Sequence, residues 1–225
     1  MDLQLIDRVV LVVGGAGYIG SVVSDRLREE GATVISASRS GSGGATLDAS
    51  DPASVESAIK SILDEHGRID GLVVTAAPSA RTLDPVLAND PEQVLNAIDG
   101  KAIGFLRVAN AVLPGMRGRG FGRVVVISGQ NAFITGNTTA LARNATTNVI
   151  AKSLADEHAG NGVAVNVVNP GVVTDEPGTD VGLGRGGESS PTQIADLVAF
   201  LISPLSALSG ESIAIAHRMK GVASL

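Results

Sequence analysis

The stretch Val9-Val10-Leu11-Val12-Val13-Gly14-Gly15-Ala16-Gly17-Tyr18-Ile19-Gly20 constrains this chain more than any other. Five branched apolar residues in a row read as a strand buried on both faces, and the glycines end it abruptly. A helix follows, with Ile19, Val22, Val23 and Leu27 on one stripe and Gly31 as its stop. Strand, glycine turn and helix open a βαβ unit of the kind that holds a dinucleotide. Of the glycines at 14, 17 and 20, one permits the tight turn, one lets a pyrophosphate approach the backbone, and one lets helix and strand pack closely. The phosphates then meet the N–H groups at the helix N-terminus, around Tyr18 and Ile19.

Further along, strand and helix patterns alternate without a break, so residues 1–225 are expected to form a single domain. Strands are predicted at Thr33 to Ala37, near Leu47-Asp48, at Leu72 to Thr75, Val124 to Ile127, Val163 to Val168 and Ser212 to Ala216. Helix starts are marked by Ser50-Asp51-Pro52, by Asp90-Pro91-Glu92-Gln93 and by the capping-box pattern Ser190-Pro191-Thr192-Gln193. A long helix from Asp90 carries Leu95, Ile98, Ala102, Phe105, Ala109 and Val112 as its apolar stripe, and another runs from about Thr139 to His158. The expected fold is α/β: a Rossmann-like, doubly wound parallel sheet of about seven strands with helices on both faces.

Composition narrows the function. A net charge of −6 and 2% aromatic residues offer neither a basic surface nor stacking platforms, which argues against nucleic acid as a partner. The absence of cysteine removes disulfides, thiolate metal sites and a cysteine nucleophile, and no metal site is expected. Met1-Asp2-Leu3 opens no signal peptide and no apolar run approaches membrane-spanning length, so the expectation is a soluble cytoplasmic protein.

Gly14 to Gly20, Leu47-Asp48, Asp70-Gly71-Leu72-Val73, Leu113-Pro114-Gly115-Met116, Gly122 to Ser128, Ser153-Leu154-Ala155 and Val165-Asn166 through Pro170-Gly171 to Thr174 together resemble the short-chain dehydrogenase/reductase (SDR) family over nearly the whole chain. The glycine spacing is more like the family's extended branch, and the short body like its single-domain members. The resemblance implies a cofactor site at Gly14, Gly17, Tyr18 and Ile19. It also implies Asp48 and Ala49 near the adenine, Ala76 at the floor, and Pro170, Gly171 and Thr174 by the nicotinamide carboxamide. NAD-binding members carry an acid after the second strand. This chain has Ser36, Ala37, Ser38, Arg39 and Ser40, and Arg39 can pair with a 2′-phosphate, which favours NADP(H) over NAD.

The family's catalytic residues are a tyrosine, a lysine four residues on, a serine and an asparagine on the preceding long helix. The same register puts Ala140, Asn144, Gly129 and Lys101 at those positions, and the chain's single tyrosine is Tyr18. Candidates to stand in are Lys101, a lysine that desolvation can bring toward neutral pH, and Asn144, Asn131, Thr139 and Gln130 as hydrogen-bond donors. Asp175 and Glu176 are alternative acid/base groups, and His66, His158 and His217 are expected to be structural, away from the cleft. Three readings follow: an oxidoreductase for a small carbonyl or alcohol with a rerouted proton path, a non-redox enzyme of elimination, isomerisation or cyclisation, or a silent subunit in a mixed oligomer with an intact SDR. The resemblance also implies a homo-oligomer, a dimer or tetramer, packed through the long helix and the helix beginning near Thr139. The segment from Asp175 to Ser189, with five glycines, is expected to be a mobile substrate lid.

Overall fold

A computed structural model describes residues 2–77 and 83–221. Strands β1 (Val9–Val13), β2 (Thr33–Ser38), β3 (Ala45–Thr46), β4 (Gly71–Val74), β5 (Gly122–Ile127) and β6 (Val163–Asn169) are joined by helices α1 (Tyr18–Glu29), α2 (Pro52–His66), α3 (Pro91–Ile98), α4 (Gly104–Arg119) and α5 (Thr138–Glu157). A ribbon of two-residue strands, β7 (Val172–Val173) and β8 (Glu188–Ser189), helix α6 (Pro191–Ile202) and strand β9 (Ser212–Ala214) follow. The seven-stranded sheet runs β3-β2-β1-β4-β5-β6-β9, parallel at every pairing. Strand order reverses between β1 and β4, and ligands of such sheets bind at the carboxyl ends beside that switch point. Among the described residues, no helix is long and apolar enough to cross a membrane.

Alternation along β1 divides the interior in two. Leu11 and Val13 face a cluster with Phe105, Val108, Val112, Ile59 and Leu154, whereas Val10 and Val12 face Val23, Leu27, Ile194 and Val198. Helices thus cover both sides, α2, α4 and α5 on one and α1 and α6 on the other, which makes β1 buried throughout.

At the amino end of the sheet, Asp70 is 1% exposed; its Oδ2 accepts from the Val9 amide at 3.0 Å and its Oδ1 pairs with Arg68. Asp70→Ala would leave a buried N–H with no acceptor, so it is expected to lower stability by about 2–4 kcal/mol, read by urea denaturation.

Two expectations need correcting. Asp90 to Val112 is not one uninterrupted α-helix, because a π turn at Asp99–Ile103 separates α3 from α4. Its extra residue rotates the two halves by roughly 100°, and Leu95 is left 67% exposed while Ala102, Phe105, Ala109 and Val112 stay buried. Within and around the segment from Asp175 to Ser189, several backbone N–H groups find acceptors. Gly187 N donates to His217 O (2.7 Å), Gly184 N to Lys220 O (2.9 Å) and Gly178 N to the Glu188 carboxylate (2.9 Å). The same contacts bring the His217 backbone beside this segment, closer to the cleft than expected.

Candidate active site

Four helices, α2, α3, α5 and α6, start on a side chain that accepts from the first turn: Asp51, Asp90, Asn137 and Ser190. Helix α1 starts on Gly17, where no side chain caps it. That helix start lies beside the switch point, where the positive end of the helix dipole favours an anionic ligand.

The turn into α1 is built around the lack of Cβ atoms. Gly14 has φ +86°, and a Cβ there would lie 2.6 Å from Ala76 N and from Thr75 Oγ1. A Cβ on Gly20 would lie 2.1 Å from Gly14 O, and one on Gly15 2.3 Å from Ser36 Oγ. The turn is pinned from outside as well. Gly14 N and Gly15 N donate to Ala37 O (2.8 and 3.2 Å), and the Thr75 hydroxyl donates to Val13 O and Gly14 O (3.2 and 3.1 Å). These residues fit a dinucleotide pyrophosphate: a narrow glycine turn and a helix start that no side chain caps. When bound, such a cofactor supplies a hydride donor or acceptor.

At the end of β2, Arg39 is exposed and the hydroxyls of Ser38 and Ser40 lie 3.5 Å apart. The Asp48 carboxylate accepts from the Ser50 hydroxyl (2.6 Å) and amide (2.9 Å), which hold it below the usual carboxylate range, and Arg39 adds to the effect. Ala49 packs near Gly104, and its carbonyl accepts from Arg107 (3.4 Å). Across the cleft, Pro170 O accepts from Gln130 N (2.9 Å), Thr174 N donates to Ser189 O (3.1 Å), and a Cβ on Gly171 would lie 2.3 Å from Gly187 O. The Tyr18 phenol donates to Asp175 at 2.6 Å, joining the glycine turn to the segment after β7.

Of the five stand-in candidates, two meet. Lys101, in the π turn, donates through Nζ to Asn144 Oδ1 (2.7 Å) and to the Ser128 carbonyl at the end of β5 (3.0 Å). Asn144 is fixed in return, its carbonyl accepting from the Ser128 hydroxyl (3.1 Å). Burial, with the nearby Arg143 charge second, pulls the Lys101 ammonium down to about 7. Gly129 sits next to this pair; a Cβ there would be 3.4 Å from Asn144 Nδ2. Thr139 instead donates to Ala88 O (2.8 Å) and accepts from Gln93 (3.4 Å), tying α5 to the turn before α3. Asn131 is exposed on the turn after Gly129. Thr75, Ser36 and Asp175 shape the site, yet their contacts span up to 157 residues and have no signature in local spacing.

Comparison with known proteins agrees with this geometry. Residues 14–217 match a family model described as enoyl-(acyl carrier protein) reductase. The chain is similar to 3-oxoacyl-[acyl-carrier-protein] reductase FabG of Vibrio cholerae, 31% identical over 94% of this chain and 96% of the relative. It is also similar to the FabG of Escherichia coli, 28% identical over 92% and 94% of the two chains. The crystal structure of gox2181 superimposes with a TM-score of 0.79 at 25% identity, covering 96% of each chain. With these matches, the parallel seven-stranded sheet and the glycine turn, the chain belongs to the short-chain dehydrogenase/reductase family of oxidoreductases.

Proposed function

We propose that the protein is an NADP(H)-dependent oxidoreductase acting on a small carbonyl or alcohol, with proton handling by side chains other than those usual in its family. The observation that carries this reading is the uncapped start of α1, set in a glycine turn that admits no Cβ at Gly14, Gly15 or Gly20. Gly17, whose amide closes the turn on Gly14 O (2.9 Å), and Tyr18 and Ile19 in the first turn of α1 border the pyrophosphate, and Ala76 N ties the floor to Val13 O (3.1 Å). Asp48 and Ala49 border the adenine, and Pro170, Gly171 and Thr174 border the carboxamide. Lys101 and Asn144 line the reacting end, with Asn131 as a further donor. Thr139 supports them from the α5 start. The activity named for the FabG relatives makes 3-oxoacyl thioesters the first substrates to try.

Arg39, exposed at the tip of β2 with serines on both sides, supports the phosphorylated cofactor. Calorimetric titration is expected to show tighter binding of NADPH than NADH. Arg39→Ala should weaken NADPH by about 10- to 100-fold and leave NADH nearly unchanged, the worth of one charge-assisted contact. Equal losses for both dinucleotides would remove the assignment.

Gly129 and Ala140 favour a second reading, since neither brings a hydroxyl or phenol to the reacting end. A non-redox enzyme, or a silent subunit paired with an intact SDR, would bind NADPH without transferring hydride. A cytoplasmic homo-oligomer, dimer or tetramer, suits either enzyme reading, and a hetero-oligomer the silent-subunit one. Val149 on α5 is 69% exposed and Leu95 on α3 67%, surfaces a neighbouring copy can cover.

A further inference from the structure

Lys101 occupies an unusual seat. Its side chain is carried inward by the π turn, it is 6% exposed, and both of its hydrogen-bond acceptors are neutral: the Ser128 carbonyl and Asn144 Oδ1. A primary ammonium has three N–H bonds and a primary amine has two. Two acceptors can therefore be satisfied in either form, and only the remaining tetrahedral position changes, from N–H to lone pair. The seat holds the nitrogen still while one proton comes and goes. Gly129 lies against the Asn144 amide, a Cβ there being 3.4 Å from Nδ2, and Ala140 precedes Asn144 by one turn of α5, so neither residue adds a side chain beyond Cβ at this end.

We propose that Lys101 gives a proton to the substrate oxygen in carbonyl reduction and takes it back in alcohol oxidation, with Asn144 and the Ser128 carbonyl as its fixed seat. The proposal rests on the dinucleotide-dependent redox reading above. In reduction, the carbonyl carbon gains a hydride from the bound reduced nicotinamide dinucleotide. The π pair moves to oxygen, an O–H bond forms as one Nζ–H bond breaks, and the neutral amine regains a proton from water. The substrate is reduced and the dinucleotide oxidised. Burial and Arg143 bring both forms of the lysine within reach of neutral pH. Around it, α5 contributes the Arg143 charge, its own helix carries the Asp99–Arg107 ion pair, and the end of β5 contributes Ser128, Gly129 and Gln130, which do not titrate.

Two variants separate chemistry from support. Lys101→Met removes nitrogen and charge together, and Lys101→Gln keeps an N–H donor for the seat but has no proton to give. Reduction of a panel of 3-oxoacyl thioesters and small ketones by NADPH should fall about 10²- to 10⁴-fold in kcat in both. NADPH dissociation constants should stay within about 3-fold of the unsubstituted protein, the mark of an interaction made only in the reaction step. The unsubstituted protein should show a break in its kcat profile near neutral pH that both variants lack. In the protein free of dinucleotide, NMR of the lysine Cε carbons should show one resonance titrating near neutral pH that Lys101→Gln abolishes. Lys101→Gln turning over at nearly the unsubstituted rate with the break intact would overturn the proposal, as would a Lys101 resonance titrating like a solvated lysine. NADPH bound by the unsubstituted protein without reduction of any panel member would overturn it too. A protein that binds neither NADPH nor NADH would instead overturn the redox reading, and the proposal with it.

Discussion

Gly20→Ala is expected to cost about 3 kcal/mol of stability and to raise the NADPH dissociation constant at least about 100-fold, although it adds a single methyl group. That methyl would sit 2.1 Å from Gly14 O and 2.7 Å from Thr75 Oγ1. The first is backbone and the second is tied by hydrogen bonds to Val13 O and Gly14 O, so neither can swing aside. Relief has to come from α1 moving off the sheet, which opens its contact with α6 and drags the uncapped amides of the first turn out of line. A displacement near 1 Å is enough to spoil a backbone–phosphate hydrogen bond. Gly118→Ala is the control. It lies inside α4 with no atom within 4 Å of the added Cβ. There the gain in helix propensity should raise stability by about 0.5–1 kcal/mol. Urea denaturation followed by far-UV circular dichroism reads both, the chain having no tryptophan. Dinucleotide binding by Gly20→Ala at the unsubstituted affinity would mean that the glycine turn does not hold the cofactor.

The contrast between those two glycines shows what was legible beforehand. Gly14 to Gly20 announces itself because a buried strand, a glycine turn and a helix stripe follow one another without a gap, and each is a local pattern. Pro52, Asp90 and the Ser190–Gln193 capping box are local too, and all three mark observed helix starts. The π turn at Asp99–Ile103 is not local. The apolar residues around it keep a spacing of three and four that suits an unbroken α-helix, and only packing against β5 and α5 decides that Lys101 turns inward. Thr139 misleads for a related reason, since a polar residue near a helix start can face a cleft or, as here, bond a neighbouring turn at Ala88. The glycines of the segment from Asp175 to Ser189 read as freedom. In the fold, Gly186 and Gly187 serve close approach, to the Gln130 side chain and to His217 N respectively. Register with the SDR family puts Lys101 and Asn144 at the positions of an asparagine and a lysine, so the two residue types are exchanged across the cleft. That the two side chains touch depends on a contact between residues 43 apart in sequence.

Lys101→Met is expected to stabilise the fold in acid and not in alkali, and this follows from the direction in which burial moves the lysine. In the unfolded chain Lys101 binds its proton up to the ordinary value of 10.5, and in the folded protein only up to about 7. Between these values the unfolded state holds more protons, so this group makes stability rise with pH. Above 10.5 the amine is neutral in both states and costs nothing in charge; below 7 it is charged in both, and the fold carries the full penalty, about 5 kcal/mol. Methionine is close in length and carries no charge, so the penalty disappears, while the loss of donors to Ser128 O and Asn144 Oδ1 costs about 1–3 kcal/mol at every pH. The difference in unfolding free energy between Lys101→Met and the unsubstituted protein should therefore grow by several kcal/mol in favour of methionine from pH 10 to pH 6, and reverse sign at the alkaline end. Urea denaturation at closely spaced pH values measures it, and a difference that stays flat would show that the ammonium is solvated in the folded state. A variant that folds better at neutral pH while losing turnover would identify the buried lysine as a group kept at the expense of stability, which is the signature of a residue retained for chemistry rather than for packing.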